Sequence, residues 1–321
     1  MYGRLPGYDT PWFRFAARRN SGLWPQVNAY KLIYKKEMYG DDVEKSSRIG
    51  LGGDAGFCPG RCGSDKKEDK AAGNGDKVHL TVFAAASMTE TMNRIAAQYQ
   101  KEHPDVEISF NFDSSGTLKT QIQNGADCDL FISAAQKQMN QLDASKDAKA
   151  NPDKLDFVKS GSRIDLLENK VVLVTPEGNP KGVQNFNDMA AKLKDGSIRL
   201  VMGNSDVPVG QYTQKILKFY NLDEQVIAQA GHITYGSNVK EVTTQVREGS
   251  ADCGVIYATD AFSAKMKPVD EATKDICGQV IYPAAVMKNS RHPQEAQAFL
   301  DYLKGQEAMK IFQGVGFSPV G

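Results

Sequence analysis

Five positions in this 321-residue chain place a hydroxyl or a compact side chain where a strand pattern gives way to a helix pattern: Ser87, Ser115, Val209, Val239 and Tyr257. The first amide N–H groups of a helix have no partner within it, and the aligned peptide dipoles make that end positive. Several such ends aimed at one point hold an anion without any lysine or arginine. Ser87 follows Val82-Phe83-Ala84-Ala85-Ala86, whose small residues let a ligand approach the backbone, and Ser115 lies in Asp113-Ser114-Ser115-Gly116. Val209 lies in Val207-Pro208-Val209-Gly210, where Pro208 is preset for a first helical turn. Val239 follows Gly236-Ser237-Asn238, a cap sequence, and Tyr257 ends Gly254-Val255-Ile256-Tyr257 with a phenol O–H to offer.

Each of these contacts is a donor. A fully ionised tetrahedral oxyanion only accepts hydrogen bonds, so donors alone satisfy it, whereas a ligand that keeps a proton finds nothing to take it. Hydrogen phosphate is therefore rejected, and molybdate, tungstate and sulfate meet the charge criterion. Taken singly, Ser87 and Ser115 read as plain helix caps and Tyr257 as a core residue with one satisfied hydroxyl. The conjunction of the five is what points to a ligand.

The elements that position them follow from periodicity. Residues 78–84 read as a strand, and Ser87-Met88-Thr89-Glu90 as a capping box that opens a helix with Met88, Met92, Ile95, Ala96 and Tyr99 on one face. His103-Pro104 stops it, and Val106, Ile108, Phe110 and Phe112 then alternate as a half-buried strand. Further strands are expected at 129–134, 170–175, 198–202, 254–257 and 280–287. Helices are expected at 136–144, 187–194, 209–220, 240–248, 259–265, 293–303 and 307–313. Strands alternating with helices predict an α/β fold with mostly parallel sheets covered on both faces, whose ligands sit off the carboxyl ends of the strands.

Bulk composition narrows the function classes. The 39 basic and 39 acidic residues balance, so no global field favours nucleic acid or an acidic membrane, and any anion preference must be local. No stretch reaches the roughly 18 consecutive apolar residues of a membrane-spanning helix. Cys58, Cys62, Cys128, Cys253 and Cys277 form no zinc pattern, and Cys253 with Cys277 reads either as isolated buried thiols or as a disulfide. Composition changes near residue 76. Residues 1–76, with Trp12 and Trp24, show no sustained period and read as an irregular segment ending in the charged tether 66–75.

VFAAAS (82–87), SSGTL (114–118), DLFISA (129–134), VPVG (207–210), GVIYATDA (254–261) and the terminal FLDYLKG and IFQGVGF together resemble the molybdate-binding protein, the substrate receptor of bacterial molybdate ABC transporters. The resemblance runs from Lys77 to the C-terminus. It implies a type II periplasmic-binding-protein fold, with lobe one at 77–166 plus 281–321 and lobe two at 167–280. It also implies an oxyanion held by the hydroxyls and amides of Ser87 and Ser115, the amides of Val209 and Val239, and the hydroxyl of Tyr257. Molybdate or tungstate would be the ligand, held through its oxygens with no cofactor and no protein atom on the metal. The partner would be the membrane permease of a molybdate ABC transporter, and the receptor a monomer outside the cytoplasm. Three departures stand out: Val209 where the family often has Ala, Gly116 where it often has Ser, and an N-terminus without a recognisable signal peptide.

Cys62-Gly63-Ser64-Asp65 before a lysine-rich tether looks like the mature start of a lipoprotein, yet Pro59-Gly60-Arg61 is not the small-residue processing site expected there. Residues 1–76 are thus expected to be a misassigned leader, or else an unstructured extension. Rival classes find little support. His79, His103, His232 and His292 lie outside the marked loops and there is no G-x-S-x-G elbow, so no enzyme is expected. A regulator with a ligand-binding effector domain would need a helix-turn-helix, which residues 1–76 do not show, so no nucleic-acid partner is expected. Within the receptor class, tungstate or sulfate selectivity is the alternative.

Overall fold

The computed structural model describes residues 77–320. The expectations for residues 1–76, Trp12, Trp24, Cys58 and Cys62 included, lie outside the described residues.

The chain opens with β1 (Val78–Ala85), a 3-10 turn (Ala86–Met88), α1 (Thr89–Glu102), β2 (Val106–Asp113), α2 (Ser115–Gln123), β3 (Leu130–Ile132) and α3 (Gln136–Asn140). It continues through β4 (Ile164–Asn169), β5 (Val171–Val174), α4 (Phe186–Lys194), β6 (Leu200–Gly203), α5 (Pro208–Phe219), α6 (Glu224–Gln229), β7 (Ile233–Gly236), α7 (Val239–Arg247), β8 (Cys253–Tyr257), α8 (Ala258–Ser263) and β9 (Asp270–Glu271). It closes with α9 (Lys274–Cys277), β10 (Val280–Val286), α10 (Pro293–Leu303), α11 (Gln306–Gln313) and β11 (Ser318–Pro319). Two sheets result, one of six strands in the order β11-β4-β10-β3-β1-β2 and one of five in the order β7-β6-β8-β5-β9. This is the expected α/β architecture of two lobes.

The sheets are mixed rather than mostly parallel. β1 runs parallel to β2 and β3, and β6 parallel to β7 and β8. β10 is antiparallel to both β3 and β4, and β5 is antiparallel to β8 and β9. The cause is the route of the chain: it leaves the first sheet through β4, enters the second immediately at β5, and returns through β10. A segment that crosses back enters the sheet in the reverse sense. The expected lobe boundary at 166/167 falls inside β4, which stays paired with β10 as far as Asn169.

Burial follows the sequence pattern closely. Met92, Ile95, Ala96 and Tyr99 are the buried stripe of α1, and Val171–Val174, Leu200–Gly203 and Cys253–Tyr257 are buried along their whole lengths, as strands covered on two faces should be. On one face of the first sheet Phe83 and Phe131 pack with Leu118 and Ile122 of α2 and Met139 of α3. Cys128, Cys253 and Cys277 are free, buried thiols, so Cys253 and Cys277 form no disulfide. Among the described residues no helix is long and apolar enough to cross a membrane.

One strand position controls where α7 sits. A Cβ built on Gly254 of β8 would stand 2.4 Å from Val246 Cγ2 of α7 and 3.0 Å from Val201 Cγ1 of β6. Adding even one methyl there overpacks the layer. Gly254→Ala should destabilise the protein by roughly 1 to 3 kcal/mol, measured by urea unfolding of both proteins; an unchanged midpoint would show that α7 is not seated by this contact.

Candidate functional site

The five marked residues come from five different strand-to-helix turns and line one small cavity. Ser87 lies in the 3-10 turn after β1, Ser115 is the first residue of α2, and Val209 the second of α5. Val239 opens α7, and Tyr257 ends β8 and precedes α8. Together with Ala85, Ala86, Asp113, Ser114, Ala134, Val207 and Pro208 they enclose about 10 Å³, about the room that one water needs. Both lobes contribute. Larger concavities of about 860 and 820 Å³ lie elsewhere as open grooves. Arg163 in the first of them is already consumed by Asp143, Gln136 and Asn140.

Helix capping leaves the cavity-facing amides unengaged by side chains. Ser114 Oγ accepts the Thr117 amide at 3.1 Å and Asn238 Oδ1 accepts the Glu241 amide at 3.1 Å, each the third residue of its helix. The first amides, those of Ser115 and Val239, have no carbonyl a turn behind to receive them. In α5 Val207 caps without a side-chain bond and Pro208 has no N–H, so Val209 supplies the first amide of that helix.

The three hydroxyls are placed differently from one another. Ser115 Oγ accepts the Ala134 amide at 2.9 Å, which leaves its proton to be donated elsewhere. Ser87 Oγ lies 2.9 Å from Tyr282 Oη, not on the backbone of α1. The expected capping box is therefore absent: Met88 precedes α1 without a side-chain cap, and Glu90 reaches across to Lys240. The reason is competition, since a buried Tyr282 hydroxyl needs a partner and Ser87 is within its reach. Tyr257 Oη is buried and makes no hydrogen bond among the described residues. Desolvation holds the Tyr257 phenol well above its ordinary titration range, so it stays a neutral donor. Its ring meets those of Tyr212 and Tyr282 edge-on, at 6.4 and 5.7 Å between centroids.

Among the described residues no lysine or arginine lines the cavity. The one carboxylate that does is Asp113, whose Oδ1 accepts the Ser114 amide at 2.7 Å. Just outside, Lys240 of α7 lies 2.8 Å from Glu90 of α1 and 3.3 Å from Asp260 of α8, tying the two lobes together. Apart from the Lys240 contact, neither oxygen of Asp260 has a partner among the described residues, and its side chain is fully buried. Burial, partly offset by Lys240, pushes this carboxyl up to about 6. The lobes also touch where Gly116 meets the segment before α5: a Cβ on Gly116 would stand 2.2 Å from the Asp206 carbonyl oxygen. Sequence reasoning missed Tyr282, Asn169, Lys240 and Asp260, because each acts through a partner remote in the chain and no local pattern marks it.

Comparison with known proteins identifies the family. Residues 80–318 match the family model described as bacterial extracellular solute-binding protein. The chain belongs to that family. It is 36% identical over 244 residues to the putative ABC transporter substrate-binding lipoprotein YvgL of Bacillus subtilis, covering 75% of this chain and 87% of that one. It is 34% identical to the molybdate-binding protein ModA of Haemophilus influenzae, covering 74% and 89%. A sulfate-binding protein of Synechococcus elongatus is 26% identical, covering 80% and 77%. Among solved structures, the substrate binding domain of a putative molybdenum ABC transporter from Clostridium difficile superposes with a TM-score of 0.56 at 31% identity, covering 76% of this chain and all of that one. The periplasmic molybdate-binding protein of Azotobacter vinelandii shares the fold, with a TM-score of 0.63 at 23% identity, covering 75% and 100%. The resemblance read from the motifs is thus borne out, and the protein is a solute-binding protein rather than an enzyme.

Asp260 supplies a pH signature. Its ordinary value is 3.8 and its folded value about 6, so between these the folded state holds the proton more tightly than the unfolded chain. Its contribution to stability is fully present below about 4 and is lost as pH rises through about 6. Asp260→Asn removes that dependence. The stability of the variant relative to wild type should rise by on the order of 2 to 3 kcal/mol between pH 4 and pH 7, read from urea unfolding at both; a flat difference would mean that Asp260 titrates as an ordinary carboxyl.

Proposed function

We propose that the protein captures molybdate, with tungstate as a second ligand, in the cavity between its lobes outside the cytoplasm, and delivers it to the membrane permease of an ABC transporter. One lobe is the first sheet with its helices and the other the second, hinged where β4 passes into β5 and where β10 returns. The observation that carries this reading is the convergence of three buried hydroxyls and several helix N-termini, drawn from both lobes, on one small cavity without a cation. The names of the relatives supply the choice among oxyanions: molybdate for several, sulfate for one. Size favours a compact inorganic ion, since pockets for organic ligands enclose roughly 300 to 1,000 Å³.

The ligand would bridge Ser87 and Ser115 of one lobe and Val209, Val239 and Tyr257 of the other. Uncompensated burial of such an ion costs many kcal/mol, and only a nearly complete donor set offsets it. Neither lobe alone completes that set. Binding therefore favours the closed arrangement, and a partner that reads closure reads occupancy. The Lys240–Glu90 contact stabilises that arrangement modestly, because both groups are partly exposed and such pairs contribute about 0 to 1 kcal/mol.

Calorimetry of the full chain with molybdate, tungstate, sulfate and phosphate tests the reading; binding of none of the four would end it. Tyr257→Phe should weaken molybdate binding by about 1.5 to 3 kcal/mol, roughly ten- to a hundredfold. The same change should leave the melting temperature of the unliganded protein equal or higher, because it removes a buried hydroxyl that has no protein partner. Loss of affinity with loss of stability would instead assign Tyr257 a packing role only. Gly116→Ala should hold the lobes apart at Asp206 and cost at least about tenfold in affinity. Small-angle scattering of the molybdate-saturated variant should show a larger radius than that of saturated wild type, and equal radii would clear Gly116 of this role.

A further inference from the structure

The hydroxyl of Ser87 is oriented from outside the cavity. Asn169, the last residue of β4, accepts the Lys170 amide on Oδ1 at 2.8 Å, which fixes the way its side-chain amide faces. Nδ2 then donates to Thr259 Oγ1 at 2.9 Å and to Tyr282 Oη at 3.1 Å. An amide NH2 only donates, so Tyr282 Oη is the acceptor in that bond. Its own proton is free for Ser87 Oγ, 2.9 Å away. Ser87 Oγ, once it accepts, has one proton left to give, and the cavity it lines is where that proton can be used. All four groups of this chain, Asn169, Thr259, Tyr282 and Ser87, are buried, so bulk water does not scramble the order.

We propose that Asn169 and Tyr282 are positioning residues that force Ser87 to act as a donor, and that this polarity makes the site select fully ionised oxyanions over those that keep a proton. The inference rests on the oxyanion reading above. It goes beyond it in naming two residues that never touch the ligand as determinants of its protonation state. Ser115 is oriented in the same sense by the Ala134 amide, and Tyr257 Oη makes no hydrogen bond to the described residues. With all three hydroxyls donating, the other side-chain acceptors that the described residues put on the cavity wall are Ser114 Oγ, which accepts the Thr117 amide, and Asp113, whose Oδ1 accepts the Ser114 amide.

Two variants test the chain, read as the ratio of the dissociation constants for inorganic phosphate and molybdate at pH 7. Tyr282→Phe keeps the ring that packs against Tyr257 and Phe317 but removes the hydroxyl that directs Ser87. Asn169→Asp keeps the acceptor for Lys170 and replaces the donor by a second acceptor, which reverses the chain: Tyr282 donates to residue 169, Ser87 donates to Tyr282, and a Ser87 lone pair faces the cavity. The added charge weakens every anion, which is why the ratio and not the affinity is read. The preference for molybdate over phosphate should fall by roughly tenfold or more in each variant, the worth of one hydrogen bond to a charged group. Asp113 is untouched in both, so it cannot produce that change. Should Asn169→Asp fail to fold, Tyr282→Phe alone decides. An unchanged ratio, with both anions weakened alike, overturns the relay and leaves the oxyanion reading standing. Wild-type protein that binds neither anion overturns both.

Discussion

A small ion with two charges would lose its hydration on entering the cavity proposed to hold it, where no lysine or arginine among the described residues stands in for a counter-ion. The remaining means is a dense set of neutral donors, each contributing a modest amount and all needed together. That requirement explains why the site is assembled from strand-to-helix turns. Such a turn delivers an unpaired amide, the positive end of a dipole and, where the residue is Ser, a hydroxyl, within a few atoms of one another. It also explains why one lobe does not suffice. A single sheet presents only a few helix starts toward one point, and the other half of the shell must come from a second sheet facing it.

The hinge and the site share residues for the same reason. β10 returns the chain to the first sheet and carries Tyr282 at a register shift between Tyr282 and Pro283, where a proline is tolerated because the ladder is already interrupted. Tyr282 is thus held where the two lobes meet, its hydroxyl between Ser87 and Asn169 and its ring between Tyr257 and Phe317. Phe317 in turn packs edge-on against Phe312 of α11. The C-terminal segment therefore acts as a brace behind the ligand shell, which gives the terminal IFQGVGF run a physical task.

Much of this was legible in the sequence because the strands and helices that carry the site are strongly periodic. β1, α1, α5, α7, β8 and β10 lie within a residue or two of their expected ranges, and the five turn residues fall on one cavity. The failures have physical causes. β4 and β7 went unread: Ile164–Asn169 mixes charge with Leu, and Ile233–Gly236 is short with its middle residues exposed. The sequence pattern predicts mostly parallel sheets because alternation of strands and helices does not reveal that a connecting segment itself joins a sheet. Ser87-Met88-Thr89-Glu90 has the spacing of a capping box, but tertiary partners won both ends, Tyr282 the serine and Lys240 the glutamate. Local pattern fixes what a residue can bond to within a turn; it is silent on a better partner 195 positions away.

The placement of charge completes the logic. Glu90, Asp260 and Asp113 all lie near the cavity proposed to hold an anion, an arrangement that would oppose binding if left alone. Lys240 sits between the first two and outside the cavity, so its charge is largely consumed by theirs. A lysine inside would attract any anion, protonated or not, and at an effective dielectric of about 20 a pair of unit charges 4 Å apart interacts by about 4 kcal/mol. A term of that size, blind to protonation and geometry, would swamp the discrimination of about 1.5 to 3 kcal/mol that a single oriented hydroxyl provides. Keeping the cation on the rim preserves selectivity, and it still lets the same cation tie α1 to α7 when the lobes come together. On the proposed reading, selection by neutral dipoles and closure by a peripheral ion pair are two consequences of where the positive charge is put.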